Sequence, residues 1–476
     1  MSMTRRELLV GSMAFGAAFA GVGGAGASVP AVGIPARPRK PRLRIGVLAD
    51  THLDGCAPAV QKLERALTAF RNGRVDGVLI CGDLADNGVV PQLEEVARIW
   101  EKVFPGSKGL DGMHVERLFH YGDHDNRGRW MSGEAERVRK QYGWTEGELA
   151  DNACFLHPKE HWERIFGEPW SQIVHKRVKG YDFVLANFNQ NGRNTTPGLK
   201  QFLDGIRIES SKPFFYSQHR VLRNTVCGPG VWGQDDGSVG ETLCDYPNCC
   251  AFCGHSHQTA VREDSIWQGA FTAVQVPSLK YVTQEDGHAN RLDGREAEQG
   301  MVMDVHDDRI VLHRLDFASK AMLAPSWIVP LVGGTRPFAR ETRRCAAKAP
   351  EFPAGAILGA RIDETKDSGG NVHRTLSLDF PIVNGQDGGV RAYDYKVSVF
   401  ALCFGGDVVR DERYYFSPKC HFAPSADTGT MQVSFSLDGF KKWNSLQSRS
   451  YGALHVEVRP REILGGLGHA IEADAQ

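Results

Sequence analysis

Five short polar blocks, each closing an apolar run, constrain this chain more than any other feature. Asp50-Thr51-His52 follows Leu43 to Leu48, and Gly82-Asp83-Leu84-Ala85-Asp86 follows Gly77 to Ile80. Gly122-Asp123-His124-Asp125 follows Leu118-Phe119, His219 follows Pro213 to Ser217, and Gly254-His255-Ser256-His257 follows Ala251 to Cys253. Short apolar runs bounded by turn residues read as buried strands. Val60, Leu63, Leu67 and Phe70 recur at helical spacing after the first block, and Leu93, Val96, Trp100 and Val103 after the second. Strand, polar loop, amphipathic helix, strand is the unit of an α/β sheet, and such sheets place ligands beyond the carboxyl ends of their strands. Five acidic or imidazole-bearing strand ends therefore predict one site on a sheet edge.

In type and order these blocks resemble the calcineurin-like metallophosphoesterase family, whose pattern is Asp-x-His, Gly-Asp-x-x-Asp, Gly-Asn-His-Asp/Glu, His, Gly-His-x-His. The resemblance spans roughly residues 43 to 317 and departs from the pattern at one position, where Asp123 replaces the family's Asn. It implies an α/β fold of four layers, an αββα sandwich. It also implies two divalent or mixed-valence metal ions, from among Mn, Fe, Zn and Mg, and hydrolysis of a small-molecule phosphate mono- or diester by a metal-bridging hydroxide.

Phosphate esters resist attack because nucleophile and phosphate are both negative, and a pair of cations offsets that charge. Carried over position by position, the family pattern gives Asp50, His52 and His257 to the first metal. It gives Asp83 to both, and Asp123, His219 and His255 to the second. The two imidazoles of Gly254-His255-Ser256-His257 fall naturally to adjacent metals, because an alternating backbone does not aim both at one. His124 is expected to face the phosphate, stabilising charge or protonating the leaving oxygen. Asp86 is expected to orient His124, and Asp125 to fix its own turn through side-chain to backbone bonds. Asp123 keeps an oxygen for a metal but adds a negative charge beside the anion. At an effective dielectric near 20, charges about 4 Å apart interact by roughly 4 kcal/mol. Diester monoanions would then suffer less than monoester dianions, a trivalent second metal would be better tolerated, and Asp123→Asn would raise monoesterase activity. His52 and Asp86 stand where purple acid phosphatases carry Gly and Tyr, and the larger C-terminal domain of exported 5′-nucleotidases is not found. The alternative from another class is an exported metal- or glycan-binding protein whose phosphatase site Asp123 has weakened. Retention of the non-ligand pair His124 and Asp86 argues against it, and no Gly-x-Ser-x-Gly elbow supports a serine hydrolase.

A formal net charge of -1 supplies no basic field for nucleic acid. Thr4-Arg5-Arg6-Glu7-Leu8-Leu9, a weakly apolar run to Ala20 and Ala25-Gly26-Ala27 read as a twin-arginine signal peptide over residues 1–27. Export to the periplasm or another extracytoplasmic space follows, with no transmembrane helix in the mature chain; an uncleaved anchor is the other reading. Residues 28–42 read as a proline-containing linker. Eleven cysteines leave at least one unpaired within the chain. For Cys244, Cys249, Cys250 and Cys253 a disulfide, a zinc site and plain apolar packing all stay open.

The phosphoesterase domain is assigned to residues 43–331. Between Gly122 and His219, Trp130, Trp144, Trp162 and Trp170 lie among many charges and read as an inserted helical cap, most of them as local core and Trp130 as facing substrate. Ala273 to Val276 and the pair Met301–Val305 and Arg309–Leu315 read as closing strands. Beyond residue 335 only strands are predicted. Leu376, Leu378 and Phe380; Tyr393, Tyr395, Val397 and Val399; Met431, Val433, Phe435 and Leu437; and Leu454, Val456 and Val458 all alternate with polar residues. Residues 335–476 therefore read as an all-β sandwich of about seven strands that resembles a fibronectin type III module. It contains no catalytic constellation, and it either docks on the catalytic domain or makes glycan or cell-surface contact.

Overall fold

The computed structural model describes residues 40–127, 133–188, 196–284, 292–294, 296–385, 389–403, 408–423, 429–437 and 451–475. Residues 1–27, read above as a signal peptide, nearly all of the segment read as a linker, and Trp130 lie outside these residues. The first sheet is built from β1 (Leu43–Leu48), β2 (Gly77–Cys81) and β3 (Glu116–His120), which run parallel. The second contains β4 (Ile173–Val178), β5 (Tyr181–Ala186), β6 (Phe214–Ser217), β7 (Cys249–Cys253), β8 (Ile266–Gln268) and β9 (Thr272–Gln275) in the order β4-β5-β6-β7-β9-β8. After the small hairpin β10 (Val282–Gln284) and β11 (Leu292–Gly294), the chain returns to the first sheet. There β12 (Gln299–Val305), β13 (Arg309–Asp316), β14 (Ala321–Met322) and β15 (Trp327–Pro330) complete it, with β12 antiparallel to β1.

Alternation along the strands builds the layers. On β1, Ile45 and Val47 pack between the sheets against Phe183, Leu185, Phe215 and Phe252, whereas Leu48 faces the helices. Those helices are α1 (Ala57–Asn72) and α2 (Val90–Val103), whose buried stripes Leu63, Leu67, Phe70 and Leu93, Val96, Trp100 repeat every three or four residues. α1 sits so close that a Cβ on Gly46 of β1 would lie 2.4 Å from the Phe70 ring. Four short helices follow β3: α3 (Asp123–Arg127), α4 (Ala135–Tyr142), α5 (Glu146–Asp151) and α6 (Pro158–Phe166). α7 (Leu199–Ile206) and α8 (Ser238–Leu243) cover the outer face of the second sheet. The result is the four-layer αββα sandwich, and the polar blocks leave the carboxyl ends of β1, β2, β3, β6 and β7.

One expectation needs correction, and the readings of the tryptophans and cysteines narrow. The stretch between Gly122 and His219 is not only a helical cap, because it also contributes β4 and β5. β4 is an edge strand whose Ile-Val-His-Lys-Arg-Val is only partly buried, so its apolar signal is weak. Trp162 and Trp170 are core aromatics around Tyr121, with ring centroids 5.1 and 4.9 Å away, and Trp144 stacks on Tyr142 at 4.4 Å. The cysteine cluster forms no disulfide among the described residues, and no metal-sized grouping there includes a cysteine. Adjacent strand residues point to opposite faces. Cys249 and Cys253 therefore pack under the helices and Cys250 packs between the sheets, as small apolar side chains.

Beyond residue 335 the chain is not strands alone. α9 (Arg340–Ala346) has no buried apolar stripe and is fastened by its arginines instead. Arg343 Nη2 reaches the Glu263 carboxylate at 3.0 Å, and Arg340 donates to the Thr225 carbonyl. The remaining strands are β16 (Gly359–Lys366), β17 (Val372–Pro381), β18 (Asp394–Cys403), β19 (Val408–Phe416), β20 (Thr430–Ser436), β21 (Tyr451–Arg461) and β22 (Ile471–Ala475). They form a three-stranded sheet β16-β17-β20 and a four-stranded sheet β19-β18-β21-β22 around one apolar core. This sandwich docks behind the last polar block. The His421 carbonyl accepts from Gln299 Nε2 at 2.6 Å and Thr259 Oγ1 at 3.3 Å, and the Tyr393 hydroxyl lies 3.0 Å from Arg262 Nη1. No helix among the described residues is long and apolar enough to cross a membrane.

Candidate metal centre

The loops that leave the strands are tightly bent. Asp50, His52, Asp83, His255 and His257 all have positive φ, between 42° and 71°. L-residues avoid this region at a cost of about 1–3 kcal/mol each, and clusters of such residues mark functional sites. Two glycines make the bends possible. A Cβ on Gly82 would lie 2.6 Å from His219 Nδ1, and one on Gly122 would lie 2.1 Å from Asp83 Oδ1.

Three groups of side chains come together. Asp50 Oδ1 lies 3.3 Å from His257 Nε2, which is 3.2 Å from His52 Nε2. In the second group Asp123 Oδ1 lies 3.0 Å from both His219 Nε2 and His255 Nδ1. Asp83 Oδ2 joins the two, 3.4 Å from His52 Nε2 and 3.1 Å from His219 Nε2. His52, Asp86 and His124 form the third. All nine residues singled out in the sequence thus meet at one end of the two sheets.

The donor set fits cations. His219 Nδ1 lies 2.8 Å from the Cys81 carbonyl and His257 Nδ1 lies 3.2 Å from the Tyr281 carbonyl. A ring nitrogen facing a carbonyl must donate, so each ring in its neutral form would turn the Nε2 lone pair toward the centre. There it meets carboxylate oxygens and other imidazole nitrogens. Asp83 Oδ2 and Asp123 Oδ1 are buried without a hydrogen-bond partner among the described residues. Acceptors converging on acceptors are repulsive unless positive charge sits between them. Burial lowers the pKa of His52 and His255, which favours the neutral, ligating form of both rings. Burial would raise Asp83 and Asp123, but the facing imidazoles outweigh it and hold both carboxyls below their usual range. Burial also opposes charge on His124, and there the Asp83 and Asp123 carboxylates prevail and raise its pKa.

The pairing of Asp86 with His124 differs from the expected one. The Asp86 carboxylate lies 3.2 Å from His52 Nδ1, and the contact with His124 Nδ1, at 2.7 Å, is through the Asp86 backbone carbonyl. Sequence spacing brings Asp86 to the site, but the turn at Asp83 decides which end of it faces which ring. Asp125 does more than fix its own turn. Its carboxylate accepts from the amides of Gly122, Leu84 and Ala85 at 2.8, 3.0 and 2.7 Å, tying the second polar block to the third. Burial and the nearby Asp83 push its pKa up to about 7 against the pull of those amides. Asp125→Ala would leave three buried amides unpaired, and we expect a loss of about 3–4 kcal/mol, read as a lower urea midpoint of the metal-free protein.

Sequence reasoning missed Arg220. Its Nη2 lies 3.4 Å from Asp123 Oδ2, and its guanidinium lies over Phe188 at 5.5 Å. Its position directly after His219 was the available signal. His120 was also missed; it sits behind the site on Ser217 Oγ at 2.8 Å, and burial pushes its pKa down to about 3.

The calcineurin-like phosphoesterase family matches residues 43–259. No curated protein matches the chain. Among solved structures, the chain is similar to a dimetal phosphatase from Danio rerio at 12% identity, over 61% of this chain and 99% of that one, with a TM-score of 0.37. It is similar to purple acid phosphatase PPD1 from yellow lupin seeds at 11% identity, over 60% and 53% of the chains, with a TM-score of 0.39. With Vps29 complexed with Zn+2 from Entamoeba histolytica the identity is 11%, over 60% and 99%, with a TM-score of 0.28. None of these likenesses carries an activity to this chain. The family match and the five blocks on adjoining strand ends agree: over residues 43–259 this chain carries a domain of the calcineurin-like phosphoesterase family.

Proposed function

We propose that the chain is a binuclear metal-dependent hydrolase of small phosphate mono- or diesters. The observation that carries this reading is Asp83 Oδ2, which faces His52 of one donor group and His219 of the other. Asp50, His52 and His257 would hold one ion, Asp123, His219 and His255 the other, and Asp83 both. When bound, the ions would supply an activated water and neutralise charge on the transferring phosphoryl group. The protein's own residues do the rest. The Asp86 carboxylate lies on His52 Nδ1, fixing the ring's orientation and favouring a free Nε2. The Asp86 carbonyl accepts from His124 Nδ1, which leaves His124 Nε2 to meet the substrate and protonate the departing oxygen. Arg220 balances the Asp123 carboxylate at the rim.

We further propose that residues 1–27 direct twin-arginine export, and that the domains divide as 43–331 and 335–476. The sandwich, fibronectin type III-like in its seven strands, braces the loop after His257 through His421 and Tyr393. Elemental analysis of the purified protein should find near two metals per chain. With p-nitrophenyl phosphate and bis-p-nitrophenyl phosphate as substrates, His124→Ala should lower kcat on the order of 10²–10⁴-fold and leave the metal content intact. One metal or none, with no turnover after reconstitution with Mn, Fe or Zn, would refute the proposal.

A further inference from the structure

We infer that Trp232 is a stacking platform for a flat aromatic leaving group, so that the preferred substrates are phosphate esters of aromatic alcohols or of aromatic-bearing groups. The inference rests on the phosphoesterase reading and deepens it. Trp232 is the only aromatic among the large apolar side chains left exposed in the described residues, at 46%. It is not remote from the chemistry. Its ring centroid lies 4.7 Å from that of His255, whose Nδ1 is 3.0 Å from Asp123 Oδ1. One imidazole therefore separates the indole from the donor cluster.

The loop that presents Trp232 is braced on both sides. The Gln234 amide donates to the carbonyls of Pro229 and Val231, both at 2.8 Å, and accepts from the Asn224 amide at 2.9 Å. The Asp235 carboxylate accepts from the amides of Arg223 and Gly237 and from Gln218 Nε2, at 2.9, 3.0 and 2.9 Å. Gly233 has φ 79°, and a Cβ there would lie 2.2 Å from His255 Cδ2, so the loop is pressed onto the ring. A Trp serving only to cover His255 would bury its bulk. This one keeps nearly half its surface in water while its backbone is held rigid. A rigid, exposed aromatic loses little freedom on binding and offers a π-face to any flat partner. Arg220, at the start of the same loop, places a cation beside the donor cluster, so a phosphate and an attached ring have adjacent seats.

The test uses the metal-reconstituted full chain and calorimetric titration with two non-hydrolysable ligands, phenylphosphonate and methylphosphonate. Trp232→Ala should weaken phenylphosphonate about tenfold, the scale of losing one aromatic stack, and change methylphosphonate by less than about twofold. Trp232→Phe, which keeps a flat face, should retain most of the phenyl preference, and Trp232→Leu, which keeps only bulk, should lose it. That second pair decides the matter if the alanine variant fails to fold. Equal weakening of both ligands would mean that the indole merely supports His255, and no change in either would mean that it touches nothing; each result overturns the inference. A wild-type protein that binds methylphosphonate and shows no preference for the phenyl ligand also overturns it and leaves the phosphoesterase reading standing. A wild-type protein that binds neither phosphonate nor inorganic phosphate, and turns over no ester, removes both.

Discussion

Asp83→Asn is expected to lower turnover of p-nitrophenyl phosphate by on the order of 10³-fold, about 4 kcal/mol of transition-state stabilisation, and to reduce metal content from near two per chain to one or fewer. The substitution isolates one property. Asn tolerates the left-handed backbone that Asp83 adopts at φ 53°, so no new strain enters. Its carbonyl can replace Asp83 Oδ1, which accepts the His124 amide at 2.9 Å. Its amide nitrogen then falls where Oδ2 lay, between His52 Nε2 and His219 Nε2. A neutral donor replaces a charged acceptor at the one atom common to both groups. The metal-free protein should still fold, because the Asn carbonyl keeps the His124 amide paired and its amide nitrogen can donate to the facing imidazoles. Elemental analysis, steady-state turnover and a urea midpoint for the metal-free variant check all three statements. Two metals per chain with turnover within about tenfold of wild type would show that Asp83 does not bridge.

The site's members were legible in the sequence because most strands carrying them, β2, β6 and β7 above all, are buried along their length and read as short apolar runs. The five blocks then needed only chain order to be gathered. What was not legible is direction. Spacing cannot tell whether Asp86 offers its carboxylate or its carbonyl to His124, because the left-handed turn at Asp83 sets that. Nor does it show that Cys249 and Cys250 point to opposite faces of one strand until the strand's true start at Cys249 is known. β4 and α9 escaped for a related reason. Both attach through polar or half-buried side chains, Lys176 to Glu116 and Glu168 in one case and Arg343 to Glu263 in the other. Hydrophobic periodicity carries no trace of such contacts.

Arg220 changes what the Asp in place of Asn means, and Arg220→Ala is expected to cost monoester kcat/KM about 10²-fold. The Asp123 carboxylate is divided. Oδ1 faces His219 and His255, and Oδ2 faces Arg220 at 3.4 Å. With the guanidinium present, the added negative charge is largely balanced before any phosphate arrives. Without it, a carboxylate about 4 Å from a phosphate oxygen would repel it by roughly 4 kcal/mol at an effective dielectric of 20. Solvent filling the space left by the guanidinium, and a cation held at Oδ1 in the metal-loaded protein, would reduce that to about 3 kcal/mol, which is the 10²-fold stated. A dianion bears more of this penalty than a monoanion, so bis-p-nitrophenyl phosphate should lose less than the monoester. Asp123→Asn alone keeps Arg220 and releases its donors for phosphate, so monoester turnover should rise. The double variant Asp123→Asn with Arg220→Ala removes both charges and should return to within about tenfold of wild type. Steady-state kinetics of the four proteins on both esters measures the coupling directly. If Arg220→Ala lowers both esters equally, the residue acts through structure and not through charge; if Asp123→Asn lowers monoester turnover, the carboxylate is required as a ligand and its charge is not the obstacle.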